Sequence, residues 1–171
     1  MSRPSDAELG ALMGQYRSAD TGEPLTVTRA EDALRLDRGG ALRPVSTSRF
    51  ALANGASIEF EAKRARMTDR FGTVEIFDRV ETTHPDAAAL QAYVGTYRSD
   101  EAETTLVAAI DDGALVLKRR PDTVMSLTPV YVDAFRLAGG LVRFRRDQGG
   151  RVTSLSISQD RVWDLSFARQ Q

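Results

Sequence analysis

The chain has no cysteine, a single histidine, two lysines and one tryptophan among its 171 residues. The first absence removes disulfides, thiolate nucleophiles and cysteine-based metal sites. With His84 alone, a Ser-His-Asp arrangement would have to use that residue, and a transition-metal site lacks donors. His84 precedes Pro85 in the expected inter-domain linker, where we read it as an exposed residue. No apolar run approaches a membrane span, and Met1 to Leu9 carries no hydrophobic signal core. Net charge is -1 and the pI about 5.9, so neither nucleic acid nor an anionic membrane is an indicated partner.

Nucleotide motifs are missing too. There is no G-x-x-x-x-G-K-[ST] and no G-x-G-x-x-G. The S-x-x-K nucleophile motif is absent, because neither Lys63 nor Lys118 follows a serine by three residues. Tyr16-Arg17-Ser18 and Tyr97-Arg98-Ser99 imitate a Tyr-x-Ser element but have no lysine partner. Asp111-Asp112-Gly113 is better explained by a turn than by a cation. We therefore assign no catalytic residue, metal ligand or cofactor to this chain.

What the chain does contain is a repeat. Residues 9–36 return as 90–117 without a gap, and Leu9, Ala11, Gly14, Tyr16, Arg17, Ser18, Leu25, Ala33, Leu34 and Leu36 equal their partners. Ordinary composition would give about 2 such identities. After a four-residue slip, Leu42, Pro44, Val45, Phe50, Leu52, Ala53 and Gly55 equal Leu127, Pro129, Val130, Phe135, Leu137, Ala138 and Gly140. Two domains follow, 1–83 and 84–171. A domain of about 80 residues is marginally stable alone, so each is expected to pack against a neighbour.

Within each copy the apolar period is two, the strand signal. In the second copy it recurs near 94–99, 104–110, 114–119, 124–130, 134–138, 141–146, 152–158 and 161–169. Asp111-Asp112-Gly113 and Asp147-Gln148-Gly149-Gly150 supply turn residues that tolerate positive φ. About eight short antiparallel strands per copy predict a closed barrel, which leaves no open edge. Pro85 to Tyr93 reads as a preceding helix, with a shorter version from Pro4 to Leu9. The inward set is bulky: Leu115, Leu117, Phe135, Leu137, Val142, Phe144, Leu155, Ile157, Leu165 and Phe167. A filled core is expected, with Trp163 on the face of Leu165 and Phe167. The first copy looks shorter between Met67 and Val80. Matching Phe77-Asp78-Arg79 to Phe167-Ala168-Arg169 brings Glu75 to the place of Leu165, and a β-bulge returning Val74 and Ile76 inward is the expected remedy.

Gly14, Tyr16 and Arg17, with Gly95, Tyr97 and Arg98, open the first strand of each barrel. We expect them to be structural: glycine for close approach, tyrosine to cover the barrel end and hydrogen-bond through its hydroxyl. Pro44 and Pro129 are the other repeated markers. The arginine runs Lys63-Arg64-Ala65-Arg66, Arg119-Arg120 and Arg143, Arg145, Arg146 with Arg151 read as solvated outer faces, or as a docking surface for an acidic partner.

Asp86 to Tyr97 resembles the opening of small lipocalin-like β-barrels attached to β-lactamase-like (penicillin-recognising) serine hydrolases. Leu127-Thr128-Pro129, Phe135, Phe144-Arg145-Arg146-Asp147 and Gly150 to Leu155 follow in the usual order. The tandem arrangement is similar to the non-catalytic part of D-aminopeptidase-type enzymes. The resemblance implies an accessory region that aids substrate access, stability or oligomer contacts beside a catalytic domain in the same or another chain. A homo-oligomer is a further expected partner. The alternatives are a free-standing lipocalin-like binder of a small apolar ligand and a protein–protein interaction module. Reaching the first repeat within nine residues suits a piece excised from a longer protein. The compartment would be the cytoplasm if Met1 is a natural start, and the periplasm is open if it is not.

Overall fold

A computed structural model describes residues 4–120 and 122–171. The chain divides into two compact units, one ending at Thr82 and the other starting at Thr83. Both are all-β antiparallel barrels entered by a short helix, and each has its own apolar core. No helix among the described residues is long and apolar enough to cross a membrane.

The first unit runs α1 (Asp6–Leu12), β1 (Gly14–Ser18), β2 (Pro24–Ala30), β3 (Ala33–Leu36), β4 (Gly40–Pro44), β5 (Arg49–Ala51), β6 (Ser57–Phe60), β7 (Arg64–Thr68) and β8 (Val74–Val80). Every strand pairs with its chain neighbour, and β8 returns to β1, so the barrel closes. Alternation places Leu25, Val27, Leu34, Leu36, Ile58, Phe60 and Phe77 inside. Ser5 caps α1 by accepting from the Glu8 amide, while the Glu8 carboxylate accepts from the Ser5 amide. This capping box carries α1 to Leu12, so the first helix is the longer of the two, not the shorter.

The second unit runs α2 (Ala87–Gln91), β9 (Gly95–Ser99), β10 (Thr104–Asp111), β11 (Ala114–Arg119), β12 (Thr123–Ser126), β13 (Thr128–Tyr131), β14 (Ala134–Leu137), β15 (Gly140–Arg146), β16 (Val152–Gln159) and β17 (Val162–Arg169). The nine strands form one sheet whose edges, β12 and β13, are consecutive in the chain. Only Leu127 separates them. In the first barrel β4 does the same work unbroken, its start pairing with β3 and its end with β5. Turn chemistry holds where it was legible: Asp112 and Gly113 both have positive φ, 47° and 77°.

Three expectations about the later strands need correction. β7 and β8 pair without a register shift, with Met67 opposite Glu75 and Ala65 opposite Phe77. No bulge forms there. Val74 and Ile76 stay on the outer face, and Glu75 shares the face of Phe77 but is half-exposed, so hydration meets its charge. Second, Phe60 pairs with Ala65 whereas Phe144 pairs with Leu155. The extra length of the second copy therefore lies in the β15–β16 hairpin, and nothing is missing after Met67. Third, a bulge does occur in β17. Asp164 has φ 49°, the register shifts between Ile157 and Gln159, and the Asp164 amide donates to Ser158 Oγ at 3.0 Å. The extra residue reverses the parity before Leu165, leaving Trp163 55% exposed.

Candidate functional site

The repeated motif builds the same clamp in each barrel. Tyr16 Oη donates to the Leu12 carbonyl at 3.0 Å, and Tyr97 Oη donates to the Tyr93 carbonyl at 2.7 Å. Both rings are buried. From the last strand, Arg79 donates to the carbonyls of Ala11 and Met13, each at 2.6 Å. Arg169 donates to the equivalent carbonyls of Ala92 at 3.3 Å and Val94 at 2.5 Å, and to Val152 at 3.1 Å. Except for Val152, which opens β16, these are carbonyls at or just beyond a helix end that the helix leaves unpaired, where a cation also meets the favourable end of the helix dipole. The guanidiniums also lie over the tyrosine rings, at 5.6 Å for Arg79 and 6.0 Å for Arg169.

Glycine is required at the head of the motif because the arginine occupies the space of a side chain. A Cβ on Gly95 would stand 2.9 Å from Arg169 Nε, and one on Gly14, at φ 142°, 3.1 Å from an Arg79 nitrogen. Arg17 and Arg98 point outward; Arg98 pairs with Asp100 at 3.0 Å. Pro44 and Pro129 sit opposite Phe50 and Phe135. Those phenylalanines complete an aromatic core common to both copies. Tyr16–Phe60 and Tyr97–Phe144 centroids are each 5.8 Å apart, and Phe50–Phe60 and Phe135–Phe144 each 5.7 Å. The motif is thus a structural device, and sequence reasoning missed only the arginine that completes it. The matched Arg79 and Arg169 were the available signal.

Burial acts on the tyrosines. It raises the Tyr97 hydroxyl to about 12 against the pull of Arg169, and it raises Tyr16 against Arg79. Tyr93, at the place of Leu12, adds a link found in the second copy. Its hydroxyl donates to Asp133 at 2.9 Å, and Arg146 Nε donates to the same carboxylate at 2.9 and 3.0 Å. Burial and the Asp133 bond raise Tyr93 as well.

The end of the second barrel away from α2 is open. A cavity of about 810 Å³ lies there, within the usual range of small-molecule sites. The expectation of a filled core holds for the helix end only. Leu106, Met125, Leu137, Ile157, Leu165 and Phe167 line the cavity, and Arg119, Asp160 and Arg161 stand at its rim. Two features open it. β9 and β17 pair only through Arg98 and Tyr97, whereas β1 and β8 pair from Gln15 through Ser18. The four-residue slip also lengthens the β11–β12 hairpin, which carries Arg119 and Met125.

Residues 78–171 match a protein family described as Domain of unknown function (DUF3471). The chain belongs to that family. No curated protein matches it. The matched region covers the whole second barrel, including its clamp and its cavity.

Outside the cavity, the DUF3471 barrel spends much of its arginine charge on itself. Arg143 and Arg145 reach Asp164 at 3.1 and 2.5 Å, and Arg146 reaches Asp133 at 2.8 Å. Burial opposes the Asp164 charge. The nearby Ser156 hydroxyl, which lacks a hydrogen bond of ordinary geometry, and the two arginines nevertheless hold the carboxyl below its usual range. The bulge at Asp164 thus ties down two arginines that were candidates for docking. In the first barrel Arg64 pairs with Asp78 at 2.8 Å. His84 is exposed and lies outside any helix or strand. No group of three or more His, Cys, Asp or Glu among the described residues is arranged to hold a metal.

Proposed function

We propose that this chain is a non-catalytic accessory region that works beside a β-lactamase-like serine hydrolase domain of the D-aminopeptidase type. The observation that carries the reading is the DUF3471 match over a barrel whose repeated residues resemble such accessory domains. The geometry supports it in one respect. The most strongly duplicated motif, Gly-x-Tyr-Arg with its distant arginine, serves to fasten a helix to a barrel. It offers no nucleophile paired with a base. The test is a serine-reactive fluorophosphonate probe on source-cell extract, followed by capture with an antibody to this chain. A labelled serine hydrolase, either larger than 18.8 kDa and carrying this sequence or bound to it, is the expected catch. An unlabelled 18.8 kDa protein, or hydrolysis of a nitrocefin or p-nitroanilide substrate by this chain alone, overturns the reading.

One observation favours a second reading, in which the second barrel binds a small apolar ligand. That observation is the open cavity. It is compatible with an accessory role, since a barrel beside an active site can hold substrate or effector.

A further inference from the structure

We infer that the cavity of the second barrel takes a single-chain aliphatic carboxylate, with the chain inside and the carboxylate at Arg119 and Arg161. The inference rests on the ligand-binding reading and adds the chemistry of the ligand.

The floor specifies the tail. Seven of the cavity's eight apolar residues, Leu106, Met125, Leu137, Ile157 and Leu165 among them, are aliphatic or thioether side chains, and Phe167 is the only ring. Such walls adapt to a flexible chain, and Met125 adapts most readily. The rim specifies the head. Arg119 shares the inward face of β11 with Leu115 and Leu117, opposite Leu106 on β10. A strand that buries two leucines thus ends with a guanidinium on the same side. Arg161 comes from the β16–β17 turn on the other wall. Among the described residues neither has a carboxylate within ion-pair distance, unlike Arg143, Arg145 and Arg146 of the same barrel. Asp160 is the one acid at the rim, so two cations face one anion. Guanidinium forks suit a carboxylate head, which binds them through two parallel hydrogen bonds.

The test uses the full chain and a dansylated undecanoic acid probe, displaced by dodecanoate or by dodecanol, which has the same tail without charge. Dodecanoate should displace the probe at micromolar concentration and dodecanol at least tenfold less well. Replacing Arg119→Gln together with Arg161→Gln should bring dodecanoate to the level of dodecanol. Both positions are exposed, so the fold should persist. Leu165→Trp, which fills the cavity from its half-buried wall, should abolish displacement by both compounds. Equal binding of acid and alcohol, unchanged by the glutamines but lost in Leu165→Trp, overturns the carboxylate assignment and leaves ligand binding standing. No probe binding, or binding that survives Leu165→Trp, overturns both.

Discussion

The two barrels share a clamp and differ at the opposite end. Tyr16 with Arg79 and Tyr97 with Arg169 make the same bonds to the same carbonyl positions, and both aromatic cores have the same spacings. At the other end the first barrel places Glu75 where the second has Leu165, and Arg38 beyond its third strand where the longer β11 still runs. Its last strand also stays zipped to its first, with the Ala19 amide donating to the Ile76 carbonyl beyond the end of β1. Duplication has kept the device that sets the fold. The end that offers a ligand site has diverged.

The largest effect is expected from Leu165→Glu, which gives the second barrel the first barrel's residue. A carboxylate in the cavity wall should weaken dodecanoate binding by at least about 100-fold, roughly 2.7 kcal/mol, while thermal unfolding changes little at this half-exposed site. Next come the clamp arginines. Arg169→Ala loses bonds to three carbonyls, one of them long, and should cost about 2.5 kcal/mol; Arg79→Ala loses two and should cost about 2. Trp163, the only tryptophan, reports the second barrel in urea unfolding, so its fluorescence transition should move for Arg169→Ala and stay for Arg79→Ala. A transition that moves equally for both would show that the barrels do not unfold separately.

Gly95→Ala should cost about 1–3 kcal/mol, because its Cβ would meet Arg169 at 2.9 Å. Tyr97→Phe should cost about 1 kcal/mol at neutral pH through the lost bond to Tyr93. It also changes the alkaline profile. The folded hydroxyl, at about 12, lies above its unfolded value near 10. Its contribution is therefore full below pH 10 and lost as pH rises toward 12. The wild type should lose stability across that window more steeply than Tyr97→Phe, as read by urea midpoints at pH 9 to 12. Last, Gly10→Ala should raise stability by about 0.5–1 kcal/mol, since Gly10 lies inside α1 with nothing within 4 Å of a new Cβ. Circular dichroism melting would show it.

Much of the fold was legible because strand alternation and turn residues are local signals. The second-copy strands fall where period two and Asp112-Gly113 place them, and the long fourth strand is broken only at Leu127. What failed depended on register. The Asp164 bulge is a one-residue event with no glycine to announce it, and it turned Trp163 outward. Glu75 invited the opposite error, since its charge argued for a bulge that partial hydration makes unnecessary. The cavity was hidden for a related reason. Ile157 and Leu165 alternate like core residues, and only the absence of β9–β17 pairing before Ala168 leaves them at an opening. Arg119 read as part of a solvated run, although its parity with Leu115 and Leu117 was available.

The most direct test of this divergence is amide chemical-shift mapping of the full chain by NMR during titration with dodecanoate. Saturable shifts are expected, confined to the second barrel and centred on Leu106, Arg119, Leu137, Ile157 and Leu165, with residues 4–82 unmoved. Shifts centred in the first barrel, or none at millimolar dodecanoate, would contradict the divergence.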